Sequence, residues 1–520
     1  MEFERVCLNR WKKISSQSKA ALFGTFIIGL IDYLYIITNH FLTYDSMWSQ
    51  YADQDMITSG RQFLKYACKI SSYFDLPAVN GILAIFYLSV AAALLVHIFD
   101  IRSKILAVVA GGILVSFPAV SSAFAYTYLI DGFMLAVLLM VVAFYLMDKY
   151  SYGWIASAFL ICFSLGIYQA YYSFLIIICV LKLISFIIDK MELKIVFKKA
   201  LRYVIAGVLG YLLYAVSLKV MLKIAGLSLS GYQGSDRVLG FNLAELPINC
   251  YKATRNFFSF VVSMNVLTHT TAMKIGLYGT ALVALISLVI IIARKKVYKE
   301  PVRIVLLIIL AALTPMLATL VMVMSPDSYF HVILRLPWAL FFIFTLYLAQ
   351  QACSLMIDSG ADKKVNLAIS SMSVIFVSIM IFQFIVMQGI VAYNMNERYE
   401  KTYSLCSRIV ARLEQVPEYS LGDPVAILGR GLNPEKYPNT SLTDPYVGWY
   451  VGVNGELCAT TTGDLGEFCA HFLGFTYVPA DEDAINRVLE SDEYAQMGEY
   501  PADDCVGNID GIWVVKLSDE

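Results

Sequence analysis

Charged residues are scarce in this chain, and their scarcity excludes most soluble folds. Of its 520 residues, 15% are charged and 59% are hydrophobic, whereas an average soluble domain has about 25% charged and roughly 45–50% apolar residues. The apolar residues are gathered into runs of about 18–25, the length that a helix needs to cross a lipid bilayer. The composition therefore predicts a polytopic membrane protein, in contact with the lipid bilayer and without a nucleic-acid partner.

Four further features are missing from the sequence. A cleavable signal peptide is not found, because the first apolar run, 20–39, is too long and no small-residue cleavage site follows it. The cytoplasmic loops are too short to form a nucleotide-binding domain, which argues against a synthase with a cytosolic catalytic domain. An internal repeat, which many transporters have, is not found either. The C-terminal tail contains no Cys-x-x-Cys spacing, so a zinc site is disfavoured there.

The apolar runs predict eleven transmembrane helices, and the first of them is retained in the mature chain. The fifth and sixth helices are separated only by Tyr168, Gln169 and Ala170, so this join is either a tight helical hairpin or a break within one helix. The predicted spans are 20–39, 78–98, 104–122, 128–148, 152–168, 171–188, 201–224, 272–293, 302–324, 337–357 and 366–392.

The placement of Lys and Arg predicts the orientation of the chain. With the N-terminal residues 1–19 in the cytoplasm, about 20 Lys and Arg fall on the inside and about 7 on the outside, as the positive-inside rule requires. Residues 20–394 then form a transmembrane domain with outer loops 40–77, 225–271 and 325–336. An odd number of spans places the segment 395–520 outside, and the outer loops are expected to carry any chemistry.

The tail 395–520 has the composition of a small α+β domain. Its first part, 396–415, has helical periodicity, and three short runs, 425–428, 475–478 and 511–515, are typical of strands. Outside the cytoplasm, an even number of cysteines suggests disulfides with three alternative pairings, while free thiols are the alternative. The cysteines concerned are Cys406, Cys458, Cys469 and Cys505. The predicted fold class is therefore an all-α polytopic membrane protein with a small extracytoplasmic α+β C-terminal domain.

Three aspartates in the first outer loop are candidates for catalysis. Asp45 lies about six residues beyond the first helix, at the depth of a lipid headgroup, where its carboxylate could accept a proton from a sugar hydroxyl as a general base. Asp53 and Asp55 form an Asp-x-Asp pair, which could bind a divalent cation such as Mg or Mn or cap a short helix. A solvated loop aspartate is the plain alternative for each of them.

Several cations near the outer surface are candidates for binding a phosphate. Lys219 and Lys223 are spaced i,i+4 on one face of the seventh helix, so they could bind a lipid phosphate or equally extend to the interface without a ligand. Arg61 and Arg335 are single arginines in cation-poor outer loops. Arginine pairs bidentately with phosphate, although either residue could instead pair with a loop aspartate.

Polar and aromatic residues near the outer ends of helices are candidates for binding a sugar or an acceptor. Asp131 lies inside the fourth helix, and ionisable groups within a membrane span are costly and hence candidates for function. Tyrosine rings at the outer surface could stack on sugars. The candidates are Asp131, Tyr168, Gln169, Tyr232, Gln233, Asp236, Arg237 and His331.

Several short motifs resemble the Gtr-type (type II) bacterial glucosyltransferases. In the first outer loop, Asn39-His40-x4-Asp45-Ser46 is followed by Ser59-Gly60-Arg61. Further along the chain are Pro118-x7-Tyr126-x4-Asp131, Gly166-Ile167-Tyr168-Gln169-Ala170-Tyr171 and Tyr232-Gln233-Gly234. The resemblance covers roughly 20–350, whereas the tail after 395 matches no family.

The resemblance implies a glycosyltransferase of the GT-C type in the bacterial cytoplasmic membrane. Such an enzyme takes a hexose, here glucose, from a polyprenyl-phosphate carrier on the outer side and transfers it to a surface glycan such as O-antigen. GT-C enzymes use an aspartate in the first outer loop, which corresponds to Asp45 and less closely to Asp53 or Asp55. Arg61 and Asp131 match family positions without a fixed role. A single displacement would invert the anomeric centre; a transporter or flippase for a lipid-linked sugar is the alternative function.

Overall fold

The protein is mostly helical, with 72% of its residues in helices and a small sheet near the C-terminus. Its structure is a computed structural model, and contacts divide it into two compact units, one of 1–38 with 53–388 and one of 39–52 with 389–520. The structure describes residues 2–231, 243–324, 331–358, 363–429, 431–433, 435–450, 452–453 and 455–518.

The first unit is a bundle of helices, and its last helix, α17, also enters the second unit. In chain order the helices outside the segment 39–52 are α1 Glu2–Lys13, α2 Ser16–Ile37, α4 Leu64–Cys68, α5 Pro77–Ile98, α6 Lys104–Val115, α7 Pro118–Phe124, α8 Thr127–Lys149, α9 Gly153–Ile167, α10 Tyr172–Ile188, α11 Leu193–Ala225, α12 Leu246–Val262, α13 Thr271–Arg294, α14 Pro301–Ala318, α15 Leu320–Met324, α16 Pro337–Asp358 and α17 Lys363–Glu414. Side-chain oxygens of Ser15, Ser103 and Thr270 cap α2, α6 and α13.

Each of the eleven predicted spans falls on helix in the structure. Among the described residues, nine helices are long and apolar enough to cross a membrane, and α6 with α7 would be a tenth if this pair, bent by 47°, is one span. The bend lies between α6 and α7, because Pro118 begins α7 and cannot continue the hydrogen bonding of α6. The remaining predicted span, α9, is an apolar helix of 15 residues.

The join between the fifth and sixth predicted spans is a real break between two helices. Tyr168 has extended backbone (φ −157°), and Gln169–Tyr171 form a single 3₁₀ turn before α10 begins. The last predicted span and the helical stretch 396–415 are, in contrast, one helix of 52 residues, α17. No proline occurs between Lys363 and Glu414, so nothing in the sequence forces the helix to end where the apolar run ends.

The second unit contains a four-stranded sheet with the strand order β2-β1-β4-β3. The strands are β1 Pro424–Leu428, β2 Val478–Pro479, β3 Val506–Ile509 and β4 Ile512–Lys516, and the helices are α3 Tyr44–Met47, α18 Asp444–Val447, α19 Thr462–Phe468, α20 Glu482–Leu489 and α21 Asp492–Gln496. Strand β1 is parallel to β2 and β4, and β3 forms an antiparallel hairpin with β4. The predicted run 475–478 yields only the two-residue β2, and β3 was not predicted because 506–509 lacks a continuous apolar run.

The four cysteines of the tail are free thiols in the structure, so the predicted disulfides are not formed in it. All four belong to one apolar core with Leu465, Phe468 and Trp513. The sulfur of Cys505 accepts a hydrogen bond from Arg412 at 2.8 Å, and that of Cys458 contacts Thr402 at 3.3 Å. These cysteines therefore serve as small core residues, with their thiol pKa values raised by burial in the case of Cys458 and Cys505.

Candidate functional site

The loop Ser59–Gln62 of the first unit is held by polar groups from α11 and from the turn that joins α9 to α10. The side-chain amide of Gln169 donates to the carbonyls of Ser59 at 3.0 Å and Gly60 at 2.9 Å. The hydroxyl of Tyr214 also donates to the Gly60 carbonyl, at 3.0 Å. The amide of Gln62 reaches the hydroxyl of Ser217 at 3.1 Å. The loop is thus fixed to α11 and to the turn between α9 and α10, both of which are far from it in the sequence.

Gly60 is the one residue of this loop whose conformation requires glycine. Its φ is +74°, in the left-handed region that side chains disfavour. An added Cβ would lie 2.6 Å from the Gln169 amide nitrogen and 2.7 Å from the Tyr214 oxygen. The same close approach that excludes a side chain allows both groups to bind the Gly60 carbonyl.

The fixed loop places Arg61 over an aromatic stack. The guanidinium carbon lies 4.8 Å from the centre of the Tyr168 ring, a cation–π distance. Tyr168 in turn stacks on Phe133, with ring centres 4.4 Å apart and planes 19° apart. The Arg61 Nη1 contacts the Met56 sulfur at 3.5 Å, and its Nε has no hydrogen-bond partner in the described part of the chain. The Tyr168 and Phe133 rings therefore orient the arginine, and it keeps N–H groups that could donate hydrogen bonds to an anion.

Asp131 is buried near the start of α8. One of its carboxylate oxygens accepts a hydrogen bond from the Ser71 hydroxyl at 2.6 Å. The other, Oδ1, is buried and has no hydrogen-bond partner among the residues that the structure describes. Ser71 also donates to the Cys68 carbonyl at 3.0 Å, so Asp131 lies beneath the end of α4. A buried carboxylate oxygen without a donor suits a ligand hydroxyl, as predicted for a sugar-binding residue.

The aspartate pair of the first outer loop is engaged within the loop itself. The Asp53 carboxylate accepts a hydrogen bond from the backbone N–H of Asp55 at 3.2 Å. Asp55 forms an ion pair with Lys65 at 2.6 Å, and this hydrogen bond raises the pKa of Lys65. Within the described ranges, no group of three or more His, Cys, Asp or Glu that could hold a metal ion is found. Asp53 thus closes a turn and Asp55 pairs with a lysine; neither caps a helix, because the 3₁₀ turn Ile57–Ser59 begins after Met56 without a side-chain cap.

An apolar groove of about 430 Å³ begins next to the Arg61 loop. Phe63 is two residues from Arg61, and Ile167 directly precedes Tyr168, whose ring carries the guanidinium. Met221, between the two candidate lysines of α11, also lines the groove. Its walls are formed by Phe63, Tyr66, Ala67, Ile70, Leu135, Leu139, Phe163, Ile167 and Met221. The structure thus places a cation beside a surface groove without charges.

The other predicted cations lie in different surroundings. Lys219 and Lys223 are exposed on the last turns of α11. Arg335 is 1% exposed, donates to the Asn256 carbonyl at 2.8 Å and lies over the Phe260 ring at 5.1 Å. Its guanidinium therefore joins 3₁₀ turn 332–335 to α12. Nearby in sequence, burial lowers the pKa of His331 to about 4, so this imidazole is neutral at physiological pH.

Asp45 belongs to the second unit, whereas Arg61 and Asp131 belong to the first. It is exposed in the first turn of α3, a four-residue helix that Thr43 caps. This segment is fixed to the C-terminal residues by a hydrogen bond from the Trp48 indole to Asp464 at 2.7 Å. The predicted residues Tyr232, Gln233, Asp236 and Arg237 lie outside the described residues.

Sequence reasoning missed the residues that support Arg61. Tyr214 and Ser217 are single polar residues within the apolar helix α11, and Phe133 is one of many phenylalanines in the bundle. The signal for the first two was a pair of polar groups at i and i+3 within the apolar part of this helix.

The comparisons with known proteins identify the family of the chain. A model of the family "Glucosyl transferase GtrII" matches residues 34–337, more than half of the chain and the whole region that contains Arg61, Asp131 and Gln169. None of the curated proteins and none of the solved structures compared with the chain matches it. The family match and the apolar helices together establish that this chain is a multi-pass membrane protein that belongs to the GtrII glucosyl transferase family.

Proposed function

We propose that the protein transfers glucose from a polyprenyl-phosphate carrier to a surface glycan at the outer face of the bacterial cytoplasmic membrane. The observation that carries this proposal is that Arg61, which lies over the Tyr168 ring, is close in sequence to Phe63, and Tyr168 to Ile167, two residues that line the apolar groove. A polyprenyl phosphate joins an anionic headgroup to a long apolar chain, and this region offers both a cation and an apolar surface. A nucleotide-linked sugar has no apolar chain to occupy the groove.

The guanidinium of Arg61 would hold the leaving phosphate. Its planar donors match phosphate oxygens, and the Tyr168 ring fixes its plane from one side, so little rotational freedom is lost when the donor binds. Lys219 and Lys223 are exposed on the helix that also supplies Met221 to the groove, and they would add positive charge to the same headgroup. Arg335 is the least suited of the predicted cations because Asn256 and Phe260 already engage it.

The proposed reaction is a single displacement at the anomeric carbon. The acceptor hydroxyl oxygen forms a bond to this carbon while the bond between the carbon and the phosphate oxygen breaks, which inverts the anomeric centre. The polyprenyl phosphate leaves with the bonding electrons, and a carboxylate takes the proton of the hydroxyl. We assign this role to Asp45, and Asp131, whose Oδ1 is buried without a donor among described groups, binds a sugar hydroxyl. Asp45 is assigned as the base because GT-C enzymes use an aspartate of the first outer loop, and because an N-terminus inside the cell places the loop that contains Asp45 outside.

The test of the base is the substitution Asp45→Asn in cells that depend on the protein for glucosylation of their surface glycan. The glycan should lose its glucose, measured as a mass difference equal to that of a deletion strain, while the protein stays in the membrane fraction. Asp492→Asn is the matched control, because Asp492 is also exposed in the first turn of a short helix of the second unit. Full glucosylation by the Asp45→Asn protein would refute the base assignment. Loss in the control as well would indicate a general structural effect.

A further inference from the structure

The second unit contains a polar cleft that the proposed transfer reaction does not use. Its volume is about 540 Å³, within the usual range for a ligand site. One wall is a single stripe of α17, formed by Glu397, Glu400, Lys401, Ser404 and Arg408. The remaining lining residues are Leu432, Lys436, Tyr437, Pro438, Thr440, Glu456 and Leu457.

Hydrogen bonds hold the lining of this cleft in place. The Glu397 carboxylate accepts hydrogen bonds from Ser441 at 2.8 Å and Thr443 at 2.9 Å. The side-chain amide of Asn394 donates to Thr443 at 3.0 Å, and Lys436 pairs with Glu499 at 3.6 Å. The bonds of Glu397 and Asn394 join α17 to residues just after Thr440, and the Glu499 pair holds Lys436, so the cleft exists before any ligand binds and little ordering cost remains.

The charges of the cleft balance each other. The carboxylates of Glu397, Glu400 and Glu456 face the cations of Lys401, Arg408 and Lys436. The Lys401–Glu456 pair is 3.8 Å long and both side chains are about one third exposed, 32% and 35%, so it is a weak ion pair that a ligand can share. A site with equal numbers of each charge gains nothing from binding a polyanion, but it offers both acceptors and donors to hydroxyl groups.

Apolar surface lies between these polar groups. Leu432, Tyr437, Pro438 and Leu457 line the cleft together with the hydroxyls of Ser404 and Thr440. Arg408 lies 5.8 Å from the Tyr437 ring and so restrains it. Alternating patches of C–H surface and hydrogen-bonding groups are the chemistry of a sugar chain, whose rings have apolar faces and hydroxyl rims. A lipid tail would leave the charges unpaired, and a nucleic acid would require an excess of cations.

We infer that this cleft binds an uncharged segment of the acceptor glycan. The inference rests on the proposed function, because that function is what supplies a glycan substrate to this chain. A second binding site in the same chain holds a long acceptor near the enzyme and raises its effective concentration. Long acceptors should therefore saturate the enzyme at lower concentration than a single sugar unit.

The experiment measures binding to the full-length protein in lipid nanodiscs without any donor. The probe is a neutral oligosaccharide of a few repeat units, prepared from the surface glycan of the cells that make the protein, and a heparin hexasaccharide is the polyanionic comparison. Ser404→Trp fills the cleft, and Ala495→Trp places the same bulk on the exposed helix α21 outside it. Glu400→Gln keeps the shape of the cleft and removes one charge.

We expect titration calorimetry to show that Ser404→Trp weakens binding of the neutral probe at least tenfold, that Glu400→Gln weakens it severalfold, and that Ala495→Trp does not change it. No binding of the neutral probe by the unmodified protein, equal binding by the Ser404→Trp protein, or preferential binding of heparin would each overturn the inference. A separate transfer assay distinguishes the two proposals. Binding without any glucosyl transfer refutes the proposed function alone, and transfer without binding in the cleft refutes the inference alone.

Discussion

At the scale of single residues, Arg61 shows how context turns a loop cation into a candidate ligand-binding group. The sequence indicated only that it was a lone arginine in a cation-poor loop. In the structure, the Tyr168 ring lies 4.8 Å from its guanidinium, Phe133 supports that ring, and Gln169 holds the backbone of the preceding residue. Its plane is thus set by groups that are far apart in the sequence.

Replacing Arg61 should weaken binding of the lipid-linked donor. Arg61→Ala removes the donors to the phosphate, and hydrogen bonds to a charged group contribute about 1.5–3 kcal/mol, so the KM for the donor should rise about 10- to 100-fold. Arg61→Lys keeps the charge but loses the planar guanidinium group. Its KM for the donor should therefore lie between that of the unchanged protein and that of Arg61→Ala. The measurement is the initial rate of glucosyl transfer against donor concentration.

Arg255→Ala is the control for this substitution. Arg255 is an exposed arginine of α12 in the same unit, and on the predicted outer side of the membrane. An unchanged KM is expected for it. A KM for the Arg61→Ala protein that equals that of the control would show that Arg61 does not bind the donor.

Asp45, the proposed catalytic aspartate, is the part of the site that residue-level reasoning predicted least completely. Spacing from the first helix placed Asp45 near the membrane surface, and this remains a prediction. The sequence could not indicate that Trp48 bonds to Asp464 and so assigns the segment 39–52 to the C-terminal unit, because that contact joins residues more than 400 positions apart. Asp53 and Asp55 looked equally available, yet backbone and lysine contacts engage them.

At the scale of elements, the loop Ser59–Gln62 and the helices that hold it form the basis of the site. Its anchors are the join at Gln169, which was the least certain part of the span prediction, and the polar face of α11 at Tyr214 and Ser217. The break between α9 and α10 is therefore what places Gln169 against the loop that carries Arg61.

Gly60→Ala should destabilise the protein more than the same change at Gly226. Both glycines have positive φ, +74° and +68°, and placing alanine there costs about 1–2 kcal/mol in each case. At Gly60 the new Cβ also meets Gln169 and Tyr214, whereas nothing lies within 4 Å at Gly226. Forced repacking around the new Cβ of Gly60→Ala adds about 1–3 kcal/mol to the loss of stability.

The midpoint of thermal unfolding in detergent measures this difference between the two glycine variants. We expect a clearly larger decrease for Gly60→Ala than for Gly226→Ala. Equal decreases would mean that the loop moves freely away from Gln169 and Tyr214, and that these residues do not hold Arg61 in place.

The apolar groove should distinguish donors by the length of their lipid chain. Met221→Trp fills part of the groove, and losing the burial of a few methylenes at about 0.8 kcal/mol each should weaken a long-chain donor tenfold or more. A donor with a single short isoprenoid unit buries fewer methylenes in the groove and should lose less. Ile308→Trp, on a side chain of α14 that is 63% exposed, is the control.

The measurement is the ratio of KM values for the long-chain and short-chain donors. It should rise for Met221→Trp and stay constant for Ile308→Trp. An equal rise in KM for both donors would mean that the substitution affects headgroup binding or folding. No rise in KM for either donor would show that the lipid chain does not bind in this groove.

At the scale of the whole molecule, composition predicted the helices well because a bilayer allows few alternatives for an apolar run of this length. All eleven predicted spans fall on helices, from α2 to α17. Composition could not predict that α17 continues for 52 residues, since a polar helix follows the apolar one without any breaker. It also could not predict the sheet order β2-β1-β4-β3, which depends on pairings between distant strands.

The central claim is that a lipid-linked sugar, and not a nucleotide sugar, is the donor. The direct measurement uses the purified protein in lipid vesicles, an oligosaccharide acceptor from the surface glycan, and glucose labelled with ¹⁴C on either polyprenyl phosphate or uridine diphosphate. We expect the label to move to the acceptor from polyprenyl-phosphate glucose and not from the nucleotide sugar. Transfer from the nucleotide sugar, or no transfer from the lipid-linked donor, would contradict it.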